Sequence, residues 1–406
     1  MSSVPLRRNR DFVLYTAGRL LSSAGTQLSI IAYPLLVLAV THSASKAGLV
    51  AFARGVPGAL FALPAGLAAD HFGRKGLMIV SDAARAGAVG ALAVLIVVHH
   101  AAFWTIPPLA FVEGCGAAIF SAASVGAVRA VVPPQQLPAA IASNTARLAT
   151  VQVLGPPLGG LLYGLGRFVP FLGDALSYAF STGSILAMRT PFQEERERDE
   201  SPLRTRLADG FRFLWSQPFL RTSTLVFGLL NFFGPAWIFA VVVLGRRHGL
   251  SSGAVGALVT VSGLSIVAGS ALSPFVRRKL PSHAVLLLEL WAWCASAFYL
   301  AWPSVYVLAA LLVPSGLAIP STDSVVHSLR IGLTPDRLIG RVSSVHSTIS
   351  LAISPLGPLI VGFLIADASP RSAVGVLAGL AIALALWGTL SPAIRSAPSL
   401  ADLLDR

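Results

Sequence analysis

Apolar runs of bilayer-spanning length recur from one end of the chain to the other. A helix needs about 20 predominantly apolar residues to cross a bilayer. Such runs are predicted at 12–40, 48–69, 77–98, 104–131, 141–166, 171–189, 219–244, 254–276, 283–302, 304–329, 342–366 and 372–394. Asp174 and Glu289 interrupt the sixth and the ninth. Only 12% of the 406 residues are charged, against about a quarter in soluble domains, so most of the surface is expected to face lipid. The alternating decamers of barrel strands are missing from the sequence. The fold class is therefore all-α integral membrane, with about twelve transmembrane helices.

Charge orients the runs. The net charge is +13, but the bases sit between apolar runs and form no patch, so no nucleic-acid partner is expected. One set of connections holds Arg7, Arg8 and Arg10, then Arg74 and Lys75, then Arg196, Arg198, Arg204, Arg206 and Arg212. It continues with Arg277, Arg278 and Lys279, Arg337 and Arg341, and Arg395. The alternate set holds only Lys46, Arg167, Arg246, Arg247 and Arg371. The positive-inside rule puts the first set and both termini in the cytoplasm of a plasma-membrane protein. The basic start, MSSVPLRRNRDF, leads into a first span rather than a cleaved signal. Cys115 and Cys294 each lie inside an apolar run and have neither disulfide nor metal spacing. The sequence carries no Walker loop, His-Glu-x-x-His or clustered nucleophile and base. Enzymatic activity, a cofactor, a bound metal and direct ATP drive are not expected.

One long polar stretch divides the chain into spans at 1–190, a linker at 191–218 and spans at 219–406. In the linker, EERERDE reads as a solvated tether. Ser201-Pro202 then opens a helix. Leu203, Leu207, Phe211, Leu214 and Trp215 follow at helical spacing, between Arg204, Asp209 and Arg212. This amphipathic helix either lies on the inner membrane surface or packs on the end of the bundle.

The two sets of spans repeat one another. PQQLPAAIAS (Pro134–Ser143) leads to GPPLGG, and PDRLIGRVSS (Pro335–Ser344) leads to GPLIVG; Arg129 and Arg330 precede them at one offset. GLAADHFGRK (Gly66–Lys75) matches GSALSPFVRRK (Gly269–Lys279), where Ser273, Pro274 and Val276 replace Asp70, His71 and Gly73. Two six-helix bundles related by a pseudo-two-fold axis along the membrane normal are predicted, an arrangement of alternating-access transporters.

GLAADHFGRK resembles the signature between helices 2 and 3 of the major facilitator superfamily, through Gly66, Asp70, Gly73, Arg74 and Lys75; His71 departs from the usual basic residue. GPPLGG is similar to the antiporter motif of that superfamily's exporters through Gly155, Pro156, Gly159 and Gly160. Val151 and Ala142 stand where the longer motif has glycines. LLSSAGTQLSIIAYPLLV, SDAARA and LADGFRFLWSQP resemble the branch of macrolide, multidrug and siderophore exporters. The resemblance implies a monomeric secondary exporter of amphipathic small molecules, working by proton antiport and alternating access. A lipid or lysolipid translocator and a non-transporting sensor or scaffold are the alternatives on this fold.

Residue roles follow. Asp70 ends the second span, where helix carbonyls make an acid unfavourable unless a cation is near, and Arg74 is the nearest. The resemblance adds that Asp70 faces the start of helix 11, where Arg341 is a second partner and Gly66 allows close approach. The set would latch the halves on the cytoplasmic side. The second copy keeps the bases and lacks the acid, so topology alone does not account for Asp70. Pro156, Pro157, Gly159 and Gly160 are expected to make a bent, closely packed helix 5.

Charges inside spans must be paired or line an aqueous path. Asp82 and Arg85, three apart, are expected to pair. By resemblance helices 1, 4, 7 and 10 line the central cavity, and Glu113 and Asp323 fall on two of them. Glu113 lies about 13 Å into its helix; it either couples to protons or bonds a neighbouring helix. Asp323 is the second proton-coupling candidate and is also placed to pair with His327 at i+4. Asp174 is expected near the interface. Arg19, Gln27, Asn231 and Trp237 are candidates for lining the substrate cavity.

Overall fold

The structure, a computed structural model, describes residues 6–124, 127–190, 192 and 203–398. EERERDE and Ser201-Pro202 lie outside the described residues. Among the described residues the regular structure is helical throughout. The helices are α1 (Arg10–Thr41), α2 (Ala44–Leu60), α3 (Ala62–His71), α4 (Arg74–Val97), α5 (Ile106–Ser124), α6 (Ala127–Val131), α7 (Leu137–Leu165) and α8 (Val169–Ala187). The linker helix α9 (Leu203–Ser216) follows, then α10 (Pro218–Leu230), α11 (Phe233–Arg247), α12 (Ser252–Lys279), α13 (Ser282–Cys294), α14 (Phe298–Ala301), α15 (Val305–Ala310) and α16 (Leu312–Gly332). The chain continues through α17 (Asp336–Ile353), α18 (Leu356–Asp367), α19 (Pro370–Leu390) and α20 (Pro392–Arg395).

Among the described residues, ten runs are long and apolar enough to cross a membrane. The runs predicted at 48–69 and 171–189 fall on α2 with α3 and on α8, outside that set of ten. Prolines account for where several runs break. A proline has no N–H for the carbonyl four residues back, and its ring crowds that carbonyl. α2 ends at Leu60, four before Pro64; α10 gives way at Asn231, four before Pro235. α15 ends at Ala310, four before Pro314, and α17 gives way at Ser354, four before Pro358. Pro156 and Pro157 behave differently: α7 runs through both without a break. In the second copy the helix is interrupted at the matching place, between α17 and α18.

The two copies of the opening motif also differ. α3 stops at His71, and Gly73 is the N-cap of α4. α12 passes through Val276 to Lys279, which leaves its three bases in the last turn, where they complement the helix carbonyl end.

Contacts divide the chain into two compact units, Met1–Arg198 with Gly245–Thr260, and Asp199–Leu244 with Val261–Arg406. In the first, α1 packs on α7 and α8, α4 on α5 and α8, and α2 on α5. One end of this unit is stitched by polar contacts. The Lys75 Nζ donates to the Met188 carbonyl (2.6 Å), and the Thr190 N–H donates to Asp11 (2.8 Å). In the second, α13 packs on α16 and α19, and α17 on α9 and α10.

Candidate functional site

The first unit encloses a cluster of ionisable side chains from α2, α4, α5 and α8, joined by hydroxyls of α1. Glu113 of α5 is 1% exposed. The Arg54 Nε and Nη2 donate to its two oxygens at 3.0 and 2.7 Å, a bidentate pair. Such forks hold a carboxylate more firmly than a single contact. Gly114 lets this pair form: a Cβ there would lie on the Arg54 carbonyl oxygen, so only glycine lets α2 and α5 approach this closely.

A second arginine joins from the other side. The Arg85 Nη1 donates to Asp82 (3.1 Å), the expected pair. Its Nη2 donates to the Tyr178 hydroxyl (2.6 Å) and to Thr26 (3.1 Å), and its guanidinium lies 3.8 Å over the Tyr178 ring. The Tyr178 hydroxyl then donates to Glu113 (3.2 Å), closing the path from Arg85 to Arg54. Asp174 is fully buried, so the interfacial placement expected for it is corrected. Its carboxyl accepts from the Ser29 hydroxyl, and the Ser177 hydroxyl, which donates to the Asp174 carbonyl (2.7 Å), lies 3.4 Å from the carboxyl. An apolar bundle tolerates charge only where it is paired; Glu113 and Asp82 each meet that condition with an arginine, and Asp174 has serine hydroxyls alone.

In the second unit, Asp323, Asn231, His327, Arg330 and His346 line a cavity of about 390 Å³. His327 takes Arg330 as its partner (3.2 Å) in place of the Asp323 expected at i−4. That leaves Asp323 exposed to the cavity. His346 pairs with Thr224 (3.2 Å), and the Asn231 amide bonds back to the Phe227 carbonyl (2.9 Å). Trp237 is 1% exposed and belongs to the core of this unit, with its indole N–H unpaired. In the first unit Arg19 donates to Tyr15 (2.8 Å), and Gln27 packs on Gly155.

Of the latch residues, Arg74 and Lys75 open α4, half-buried. The side chains of Asp70 and His71 lie outside the described residues. A Cβ at Gly66 would meet no described atom within 4 Å, and within the first unit α3 packs on α2, α4 and α5. Arg341 donates to Asp209 of the linker helix (2.9 Å). GPPLGG does pack closely. A Cβ on Gly159 would lie 2.7 Å from the Leu28 carbonyl oxygen of α1, and Gly160 abuts Ser252 at the head of α12.

The family described as transmembrane secretion effector matches residues 2–401. The chain belongs to that family of the major facilitator superfamily. Among the relatives of this facilitator, the multidrug efflux pump Tap of Mycolicibacterium fortuitum is 27% identical over 371 residues, 88% of each chain. The enterobactin exporter EntS of Shigella dysenteriae is 24% identical over 375 residues, 90% of this chain and 88% of that one. The crystal structure of the nucleoside transporter NupG shares the fold, with a TM-score of 0.70 over 96% of this chain and 99% of that one, at 13% identity. The facilitator is thus a multi-pass membrane transporter. Its sequence singled out Glu113, Asp82 and Arg85. It gave no sign of the roles of Tyr178, Ser29 and Thr26, which are ordinary polar residues in apolar runs until the fold brings them together.

Proposed function

We propose that this facilitator is a plasma-membrane exporter of amphipathic small molecules, driven by protons entering in exchange, with both termini in the cytoplasm. The relatives named as a multidrug efflux pump and an enterobactin exporter support the direction and the cargo class. The observation that carries the coupling is a charge count. The cluster in the first unit holds two arginines, Arg54 and Arg85, and three carboxyls, Asp82, Glu113 and Asp174. Two carboxylates have a guanidinium each. Asp174 has only hydroxyls. A neutral cluster therefore needs one proton, and Asp174 is where it rests.

In this reading Glu113 keeps its pair with Arg54 and senses the proton through the Tyr178 hydroxyl and the shared field. Glu113 is the part of the coupling machinery that faces α2. Loss of the proton leaves an uncompensated buried charge, which favours the conformation that admits water. The cavity with Asn231 and Asp323 in the second unit is the cargo subsite: its volume falls in the range of small-molecule pockets, with a few polar groups converging on it. Arg19, Gln27 and Trp237 are not among its lining residues, and Trp237 is buried in the core of the second unit. GLAADHFGRK acts as the cytoplasmic latch. The break at Gly73 turns Arg74 and Lys75 into the head of α4, beside the end of the helix that carries Asp70.

The test uses purified protein in proteoliposomes with an acidic lumen and a panel of amphipathic fluorophores, neutral and permanently charged. Exchange predicts accumulation on the acidic side, abolished by a protonophore. Equal distribution with and without the gradient, for every fluorophore that binds, overturns the reading. For the latch, Asp70→Asn is expected to shift spin-label distances toward the inward-open state, and unchanged distances refute it.

A further inference from the structure

The linker helix and α17 enclose an open cavity of about 620 Å³, of whose lining the proposed latch draws on Arg341 alone. Arg212 of α9 and Arg337 and Arg341 of α17 line it, with Asp209, Phe213 and Ser216. Arg341 donates to Asp209 (2.9 Å), which fixes one guanidinium at the wall. Among the described lining residues three guanidiniums stand against one carboxylate, with Arg212 and Arg337 in excess of the Arg341–Asp209 pair. Arg212 and Arg337 are exposed to whatever enters. Planar guanidinium forks match phosphate oxygens in pairs, which suits this lining to a phosphate ester.

The same helix also indicates where that phosphate comes from. Leu214 is fully buried, and Gly210 closes on the backbone of Arg341, where a Cβ would lie 2.8 Å from the carbonyl. α9 is thereby held against the bundle along one face. Another face presents Phe211 (47% exposed) and Trp215 (39% exposed), stacked with ring centroids 5.0 Å apart. Exposed aromatic rings beside a basic lining belong at headgroup depth in a bilayer, where basic pockets and basic amphipathic helices take up anionic lipid. A soluble phosphate would gain nothing from the two rings.

We propose that the cavity between α9 and α17 binds the headgroup of an anionic phospholipid, with the guanidiniums of Arg212, Arg337 and Arg341 on its phosphate and the Phe211–Trp215 face against its acyl chains. The site would make the linker helix a sensor of inner-leaflet charge, and it stands independently of proton coupling.

Native mass spectrometry of the full chain in detergent tests it, with cardiolipin, phosphatidylcholine and inorganic phosphate as separate probes. Wild type is expected to retain cardiolipin and release phosphatidylcholine. The double variant Arg212→Gln/Arg337→Gln is expected to bind cardiolipin about thirty-fold more weakly, while Arg212→Lys/Arg337→Lys stays within about threefold of wild type. Both sites are exposed, so thermal unfolding in phosphatidylcholine nanodiscs is expected to be unchanged for both variants. Undiminished cardiolipin binding by the glutamine pair overturns the proposal, as does an equal loss in the lysine pair. Displacement of cardiolipin by an equal concentration of inorganic phosphate overturns it too, by assigning the cavity to a soluble anion.

Discussion

At Glu113 the immediate issue is what happens to Arg54 when its partner goes. Removing one member of a buried ion pair leaves the other charge unsatisfied, at a cost of about 3–5 kcal/mol. Glu113→Gln is therefore expected to lower unfolding stability in detergent by that order, and Arg54→Gln/Glu113→Gln by less than the single change. Equal losses for the single and the double variant would show that the pair is not a unit. Asp174→Asn is expected to behave differently. A neutral amide can exchange hydrogen bonds with Ser29 and Ser177, so stability should hold within about 1 kcal/mol while gradient-driven transport is lost. Legibility at this scale followed chain distance. Asp82 and Arg85 were readable because three positions on a helix share a face. The Arg54–Glu113 pair spans 59 positions, and the Ser29–Asp174 contact spans 145. Nothing local marks either, and Asp174 was misplaced because its position in the run suggested the interface.

Among the elements, α7 shows how small residues and prolines divide the work. Its two prolines leave the helix unbroken, and its glycines set its distance from α1. Gly159→Val would drive a side chain into the Leu28 carbonyl, so a loss of about 1–3 kcal/mol is expected, measured by thermal unfolding of the purified chain. Gly164→Val, on the same helix, is the control: a Cβ there meets no described atom within 4 Å, and little change is expected. Equal losses at both positions would refute the packing role. The runs themselves were legible from hydrophobicity alone. Their breaks were not, because a proline in an apolar run does not say whether the helix will continue through it. Pro156 and Pro157 sit in a continuous helix, whereas Pro358, the repeat partner of Pro157, follows a break. The linker helix was legible as amphipathic, but its two proposed fates turned out to be compatible. Leu214 faces the bundle while Phe211 and Trp215 stay exposed.

For the whole molecule, the two units divide chemistry as well as chain. The first holds the cluster of two arginines and three carboxyls, and the second holds the cavity with Asp323, His327 and His346. Superfamily membership was legible because GLAADHFGRK and GPPLGG are short, charged or glycine-rich signatures in an otherwise apolar chain. The placement of a proton was not, since it depends on counting charges that only the folded bundle gathers. The central claim is that this cluster carries one exchangeable proton, resting on Asp174. It is tested most directly by adding a transported fluorophore to purified protein in weakly buffered detergent and following pH with an indicator dye. Wild type is predicted to release about one proton per molecule of protein on saturation, and Asp174→Asn none. Equal release from the two proteins, or no release from a wild type that binds the fluorophore, would contradict the account.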